Sequence, residues 1–401
     1  MKLVGSRLRR WCPDGPNGQP GVRLIDTLLL RSRRIRRIVG WSNEILAMLA
    51  NYFPILLTVT ICIFARPLGE RLSVMDRPDG VRKTHRAPTP LIGGVAIMFP
   101  LAVWIAAKIV WGAGDPSGLL LSILLCCGGV AVIGFLDDQH MISPTGRLIL
   151  LAIFSLVALK LDPTLAYDRL YTVAGGTLFI SPTVFAVLIV AALTGFSSAV
   201  NLADGLNGLV LALICVWAIC LAFSGGEDVA QISELIAAES IIALLFNYTG
   251  RLFLGDCGAF SVAFAIGLLA IQCHNLGRLP LETALVWFFL PVADCLRLIP
   301  LRMWLRRSPF RPDRRHFHYR LSARFGDATA TWSYVGLIAV TSFLTVMRPQ
   351  ASMICIGVQA FVYLGFLLTD ALVLRGERAA VVDAATNVVA LEKKMKRATD
   401  A

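Results

Sequence analysis

Long apolar blocks separated by short polar connections run from residue 45 to residue 374. The apolar residues are not spaced at the helical or two-residue period of a half-buried element. Several blocks reach the roughly 20 residues a helix needs to cross a bilayer. Helices are the natural spanning form, because their backbone groups are paired internally. The pattern predicts about eleven spans, with ten as the alternative count, at 45–66, 91–112, 118–136, 147–160, 182–200, 205–224, 232–249, 259–274, 281–301, 331–347 and 352–374. The expected fold is therefore all-α, a polytopic transmembrane helical bundle. The fourth span is short, and Lys160 is placed to snorkel from its end. Residues 1–44 form a basic extension, 45–374 the transmembrane catalytic domain and 375–401 a cytoplasmic tail. No internal repeat is visible.

Composition agrees with this pattern. The chain is 56% hydrophobic and 16% charged, where soluble domains carry about 25% charged residues. The net charge of +12 does not call for a nucleic-acid partner, because basic residues in the connections of a membrane protein set its orientation. Of the Lys and Arg residues in the connections and the tail, 22 fall on one side and only Arg169, Arg278 and Arg348 on the other. The rich side is expected to be cytoplasmic, at a bacterial inner (plasma) membrane. Residues 1–44 break the pattern, with ten Lys and Arg on a segment that should begin outside. The segment has no apolar region long enough for a signal peptide. Either a surface helix around Arg31 to Arg37 lies on anionic lipid, or the natural chain starts later, at Met48; the second reading is favoured. Ten cysteines lie mostly inside apolar blocks without a CxxC framework. They are expected to pack as small polarizable residues rather than to bind zinc or form disulfides.

Aspartates change the picture. An aspartate at a membrane-helix centre costs about 2.5–3.5 kcal/mol on insertion scales, so those near spans call for a reason. Asp137 and Asp138 end the third span, Asp204 lies between spans five and six, and Asp256 between spans seven and eight. Counting crossings puts all four on the cytoplasmic side, with the basic loop that carries Arg314, Arg315, His316 and His318. Mutually repelling carboxylates gain by sharing a cation. Mg²⁺ takes hard oxygen ligands, usually one or two carboxylates plus substrate phosphates and waters. Lys83, His85 and the loop arginines and histidines suit phosphate oxygens. Carboxylates with a cation, ringed by basic groups, are the parts of a phosphoryl-transfer site, and a membrane setting suggests one lipid substrate. Singly, each piece has a plainer reading. The Asp137–Asp138 pair suits a polar helix end, and Asp204 and Asp256 beside glycines suit turns. Gly93 and Gly94 suit close helix packing. Asp294 and Arg297, three residues apart, suit a simple ion pair.

Five motifs in order resemble the polyprenyl-phosphate N-acetylhexosamine-1-phosphate transferases. They are Asp76-Arg77-Pro78 with Arg82-Lys83-Thr84-His85, Pro90 and Gly93-Gly94; Gly134-Phe135-Leu136-Asp137-Asp138; Asn201-Leu202-Ala203-Asp204-Gly205-Leu206-Asn207-Gly208; Phe253-Leu254-Gly255-Asp256-Cys257-Gly258; and the loop from Ser308 to His318. The resemblance covers Pro54 to Leu374. The last loop is similar to the GlcNAc-type branch rather than to the phospho-MurNAc-pentapeptide translocase, which has adjacent histidines there. Three positions depart from the family pattern: Asn207 replaces an Asp, Ala259 a common Ser, and Tyr319 the second His of a closing pair.

The resemblance implies transfer of HexNAc-1-phosphate, with GlcNAc as the expected sugar, from a UDP-sugar to polyprenyl (undecaprenyl) phosphate with release of UMP. It implies Mg²⁺, with Mn²⁺ as a substitute, held by Asp256 first and by Asp137 and Asp138 next. One of that pair instead orients or deprotonates the lipid phosphate in an alternative assignment. Asp204, Asn201 and Asn207 are expected to arrange the nucleotide or the metal shell. His316, His318, Arg315, Lys83 and His85 are expected to hold the diphosphate, with Asn247 among the substrate-side amides. A homodimer is compatible with this reading. Two other readings stay open: a transporter of an anionic or phosphorylated solute, and a family member that binds its ligands without turning them over.

Overall fold

A computed structural model describes residues 43–78, 87–111, 118–167, 169–306, 308 and 314–371. Lys83, His85, residues 1–42 and the tail 375–401 lie outside the described residues. The chain divides into Met1–Tyr52 and Phe53–Ala401; the architecture below is that of the second unit.

Helices stand at all eleven predicted places. α1 (Asn43–Ile63) breaks by 71° into the short α2 (Ala65–Arg71). Then come α3 (Gly93–Trp111), α4 (Leu119–His140), α5 (Pro144–Leu161), α6 (Pro182–Ala203), α7 (Leu209–Ser224), α8 (Glu227–Tyr248), α9 (Gly255–Asn275) and α10 (Leu281–Trp304). A nine-residue helix, α11 (Phe317–Phe325), precedes α12 (Asp327–Met347) and α13 (352–371). Among the described residues, nine helices are long and apolar enough to cross a membrane, and ten if the bent α1–α2 pair is one span. The protein is thus a polytopic helical membrane protein.

The sixth predicted span, α7, is shorter than expected, with 16 residues. Residues 204–208 are spent on a turn that Gly208 closes at φ 83°, a backbone region glycine enters without a Cβ penalty. The fourth span is longer than expected: Ser143 caps α5 by accepting from the Gly146 N–H at 3.1 Å, with Pro144 at the first helical position. That pairing of cap and proline is a strong helix start. Ser181 and Pro182 begin α6 in the same way.

α9 is the centre of the bundle and is buried along nearly all its length. Its Gly258, Ala259, Ser261, Ala263, Ala265 and Gly267 let neighbours approach closely. α3, α4, α6 and α7 surround it. Two close approaches seat its first turn. Gly93 and Gly94 donate N–H bonds to the Phe253 and Leu254 carbonyls at 2.9 and 2.8 Å. On α4, a Cβ at Gly134 would stand 2.5 Å from the Asp256 carbonyl oxygen. At the opposite end of the bundle, β3 (Arg169–Tyr171) pairs antiparallel with β4 (Thr177–Phe179), while β1 (Met75–Asp76) and β2 (Thr89–Pro90) pair near the start of α3. All nine described cysteines are free thiols and eight are buried, the packing role expected of them.

Candidate active site

The C-terminal ends of α4 and α6, the N-terminal ends of α5 and α9 and the α6–α7 turn lie together at one end of the bundle. The predicted carboxylates meet there. Asp138 accepts the Asp256 and Cys257 N–H groups at 2.9 and 3.1 Å, so α4 caps the first turn of α9. An anion suits that position, where unpaired N–H groups and the helix dipole point outward. Gly255 makes the approach feasible: its φ is 72°, and a Cβ there would meet Asp138 Oδ2 at 2.7 Å.

Asp137 is buried and accepts from the Ile142 N–H and, at 2.8 Å, from Arg147. The same Arg147 nitrogen donates to Asp256 at 3.1 Å. Asn201, on the last turn of α6, donates to the other Asp256 oxygen at 2.7 Å. Three elements, α4, α5 and α6, thus converge on Asp256 of α9. Asp204 follows α6 in the turn. Its side chain is exposed to the open cleft, where partial desolvation by the surrounding protein together with the Asp256 charge pushes its carboxyl up to about 7. Among the described residues, no three His, Cys, Asp or Glu side chains surround a common point suited to a metal.

The second wall comes from α10, α11 and the loop between them. His316 caps α11. Its Nδ1 lies 2.8 Å from Asp294, which also accepts from the Phe317 N–H at 3.0 Å and from Arg297 at 2.7 Å. Tyr363 of α13 donates to Asp294 at 3.0 Å. The Asp294–Arg297 pair is present as read from its spacing, and it also fastens the histidine loop. His318 lies behind the wall, stacked on His316 and tilted against Tyr319. Burial, reinforced by the neighbouring His316, pushes its imidazole down to about 3. A Cβ on Gly205 would stand 2.4 Å from His318 Nε2 and 2.5 Å from the Tyr319 hydroxyl, so the aspartate turn and the histidine wall touch.

Between the walls lies a cleft of about 2150 Å³. Asp137, Asp138, Asn201, Asp204, Asn207, Asp256, Arg302, Arg314 and His316 line its polar end. Its remainder is apolar and follows α6, α9 and α10, past Phe196, Leu188, Phe289 and Leu285, to Leu170 and His274 at the far end of the bundle.

Three candidate substrate contacts are tied into the protein itself, although Asn247 still lines the cleft. Asn247 uses both ends of its amide inside the protein, accepting from the Gly208 N–H at 2.6 Å and donating to the Leu252 carbonyl at 3.0 Å. It ties two loops together. His318 is buried behind the cleft because the start of α11 turns it inward. Arg314 lines the cleft, whereas the Arg315 carbonyl is held by Arg297 at 2.9 Å. Sequence reasoning missed Arg147 and counted it only as an orientation charge. Its signal was the Ser143-Pro144 helix start, which returns the chain beside Asp137 one turn later.

A bundle of apolar helices with an acidic centre, a basic wall and an apolar cleft leading away defines a multi-pass membrane protein built to handle an anionic headgroup. Comparison with known proteins narrows this. Residues 120–274 match the family model of glycosyl transferase family 4. The chain is 27% identical over 343 residues to the undecaprenyl-phosphate alpha-N-acetylglucosaminyl 1-phosphate transferase of Escherichia coli (strain K12), covering 79% of this chain and 89% of that protein. It is 26% identical over 353 residues to the protein of the same name from Salmonella typhi, covering 82% and 93%. It is 29% identical over 287 residues to the phospho-N-acetylmuramoyl-pentapeptide-transferase of Heliobacterium modesticaldum, covering 68% and 87%. Family model and relatives agree in what the chain is similar to: glycosyl transferase family 4 over residues 120–274, and polyprenyl-linked sugar-phosphate transferases over most of its length.

Proposed function

We propose that this protein transfers N-acetylglucosamine-1-phosphate from UDP-GlcNAc to undecaprenyl phosphate and releases UMP, the first step of a lipid-linked envelope glycan. One observation carries the reading: carboxylates from three separate stretches and a buried basic wall meet at the head of an apolar cleft. The names of the relatives agree with it. The excess of Lys and Arg on the connections at the site's end argues that the reaction faces the cytoplasm at the inner membrane.

The chemistry brings two anions together, so neutralising charge is the main task. Arg302 and Arg314 offer guanidinium groups to phosphate oxygens. Asp204, Asn201 and Asn207 border the space where the nucleotide would enter. The apolar part of the cleft suits the isoprenoid tail, with the lipid phosphate at the polar head. A lipid phosphate oxygen attacks the sugar-linked phosphorus and UMP leaves.

The donor set fits Mg²⁺. Asp137 and Asp256 reach one Arg147 nitrogen from two sides, so their oxygens already share a cationic neighbour. Two adjacent carboxylates with room for phosphates and waters match what this ion takes. Asp256 and Asp137 would hold it, with Asp138 fixing the turn that carries Asp256. The ion would supply charge stabilisation to the diphosphate.

The test is to incubate the protein in nanodiscs with undecaprenyl phosphate and a panel of UDP-sugars, following UMP release and labelled lipid. UMP and labelled lipid from UDP-GlcNAc alone are expected. Product from a different sugar would move the specificity, and no product from any sugar would defeat the transferase reading.

A further inference from the structure

We infer that Asp294 is a positioning residue: it fixes the ring of His316 with its Nδ1 protonated, so that Nε2 faces Arg302 and sets that guanidinium on the wall of the cleft. This rests on the transferase reading only in naming phosphate as the anion that Arg302 meets.

The argument starts from which groups can only accept and which can only donate. Asp294 is buried on α10, and its two oxygens receive four donors. Oδ1 takes Arg297 Nη2 at 2.7 Å and the Tyr363 hydroxyl at 3.0 Å. Oδ2 takes the Phe317 N–H at 3.0 Å and His316 Nδ1 at 2.8 Å. Among all these donors the group serves as an ionised acceptor, so the hydrogen of the last contact sits on Nδ1. At the other side of the ring, Arg302 Nη2 stands 3.4 Å from Nε2. A guanidinium has donors and no acceptor. It can approach only the lone pair, so Nε2 carries no proton. Both neighbours demand the same tautomer, and a doubly protonated ring would set its N–H against the Arg302 cation.

The loop is fastened to hold this alignment. Arg297 reaches Tyr363 through Nε at 2.7 Å and the Arg315 carbonyl at 2.9 Å. The Phe317 ring packs on Tyr363 and Phe366 of α13. The relay therefore reads outward from the bundle: carboxylate, neutral imidazole, guanidinium, cleft. Arg302 is itself buried and lines that cleft. A histidine in this place is no phosphate-binding cation. It is a spacer with an acceptor at its outer nitrogen, a role a carboxamide can partly imitate.

The test uses the full-length protein in nanodiscs with ¹⁵N-labelled histidine. The resonance pair lost in His316→Gln belongs to His316. In the wild type it should report a neutral ring protonated on Nδ1. Asp294→Asn should abolish that fixed state, while Tyr363→Phe, which removes one donor from Asp294 but leaves the ring contact, should keep it. In parallel, Asp294→Asn should lower turnover or UDP-GlcNAc affinity by about 10–100-fold, as loss of an orienting partner does. Asp294→Asn and His316→Gln together should cost no more than His316→Gln alone in calorimetric affinity for UDP-GlcNAc. A wild-type ring protonated on Nε2, or on both nitrogens, would overturn the proposal, as would additive losses in the double variant. If the wild type turned over no UDP-sugar, the transferase reading would fall, while the tautomer would still decide the relay. Should Asp294→Asn not fold, the wild-type, Tyr363→Phe and His316→Gln spectra decide it.

Discussion

A methyl group added at Gly94 has no space to occupy. Its Cβ would stand 2.1 Å from the Gly258 nitrogen, 2.5 Å from the Gly258 Cα and 2.7 Å from the Cys257 carbonyl carbon. All three are backbone atoms in the first turn of α9, so no side-chain rotation relieves the clash. Favourable carbon contacts begin at about 3.5 Å, so α3 and α9 must part by roughly 1.4 Å, the difference between 3.5 and 2.1. That turn carries Asp256 and the two N–H groups that hold Asp138. Displacing a catalytic constellation by about 1 Å costs on the order of 100-fold in rate. Overpacking a tight contact costs about 1–3 kcal/mol of stability. In the UMP-release assay, Gly94→Ala should therefore lose about 100-fold in turnover and show a lower thermal midpoint. Gly128→Ala on α4 is the control, because a Cβ there meets nothing within 4 Å. A Gly94→Ala protein with wild-type turnover and midpoint would refute the argument that this crossing fixes the acidic centre.

Other outcomes follow from the same geometry. Asp256→Asn and Asp137→Asn should lose nearly all turnover while the protein still inserts and folds; retained activity would remove the metal-site assignment. EDTA should stop the reaction and Mg²⁺ or Mn²⁺ restore it, as measured by UMP release before and after dialysis. Arg147→Met leaves Asp137 and Asp256 facing each other without their shared cation, so its midpoint should fall in metal-free buffer and recover partly with Mg²⁺; equal midpoints in both buffers would count against the shared pair. Asp204, ordinarily near 3.8 and raised to about 7, binds its proton more tightly folded than unfolded. Its contribution to stability is thus present at low pH and lost as pH rises from 3.8 to about 7. Asp204→Asn should flatten the fall of the metal-free midpoint across that window.

Much of this was legible in the sequence for physical reasons. Apolar blocks of membrane-spanning length leave few alternatives to helices, and crossing parity brings Asp138, Asp204 and Asp256 to one end whatever the packing. Spacing could not say which polar atoms the protein uses for itself. Asn247 looked free for substrate until Gly208 and Leu252 claimed both its amide groups. His318 looked equivalent to His316, and both rings are buried and stacked on each other, but only His316 borders the cleft. Arg147 became visible only when the α4–α5 turn folded it back against Asp137. Asp294 and Arg297 read as a local pair because Tyr363, which completes their network, lies 69 residues beyond Asp294.

The apolar cleft has a finite reach. It follows α6, whose 22 residues rise about 33 Å at 1.5 Å each, and it ends against the strand pair near Leu170 and His274. An acceptor seated there can be gripped only over that stretch, and any remaining isoprene units must spill sideways into the surrounding bilayer. Discrimination among carriers of different tail length would then rest with the enzymes that build them, while this protein inspects the headgroup and the first stretch of chain.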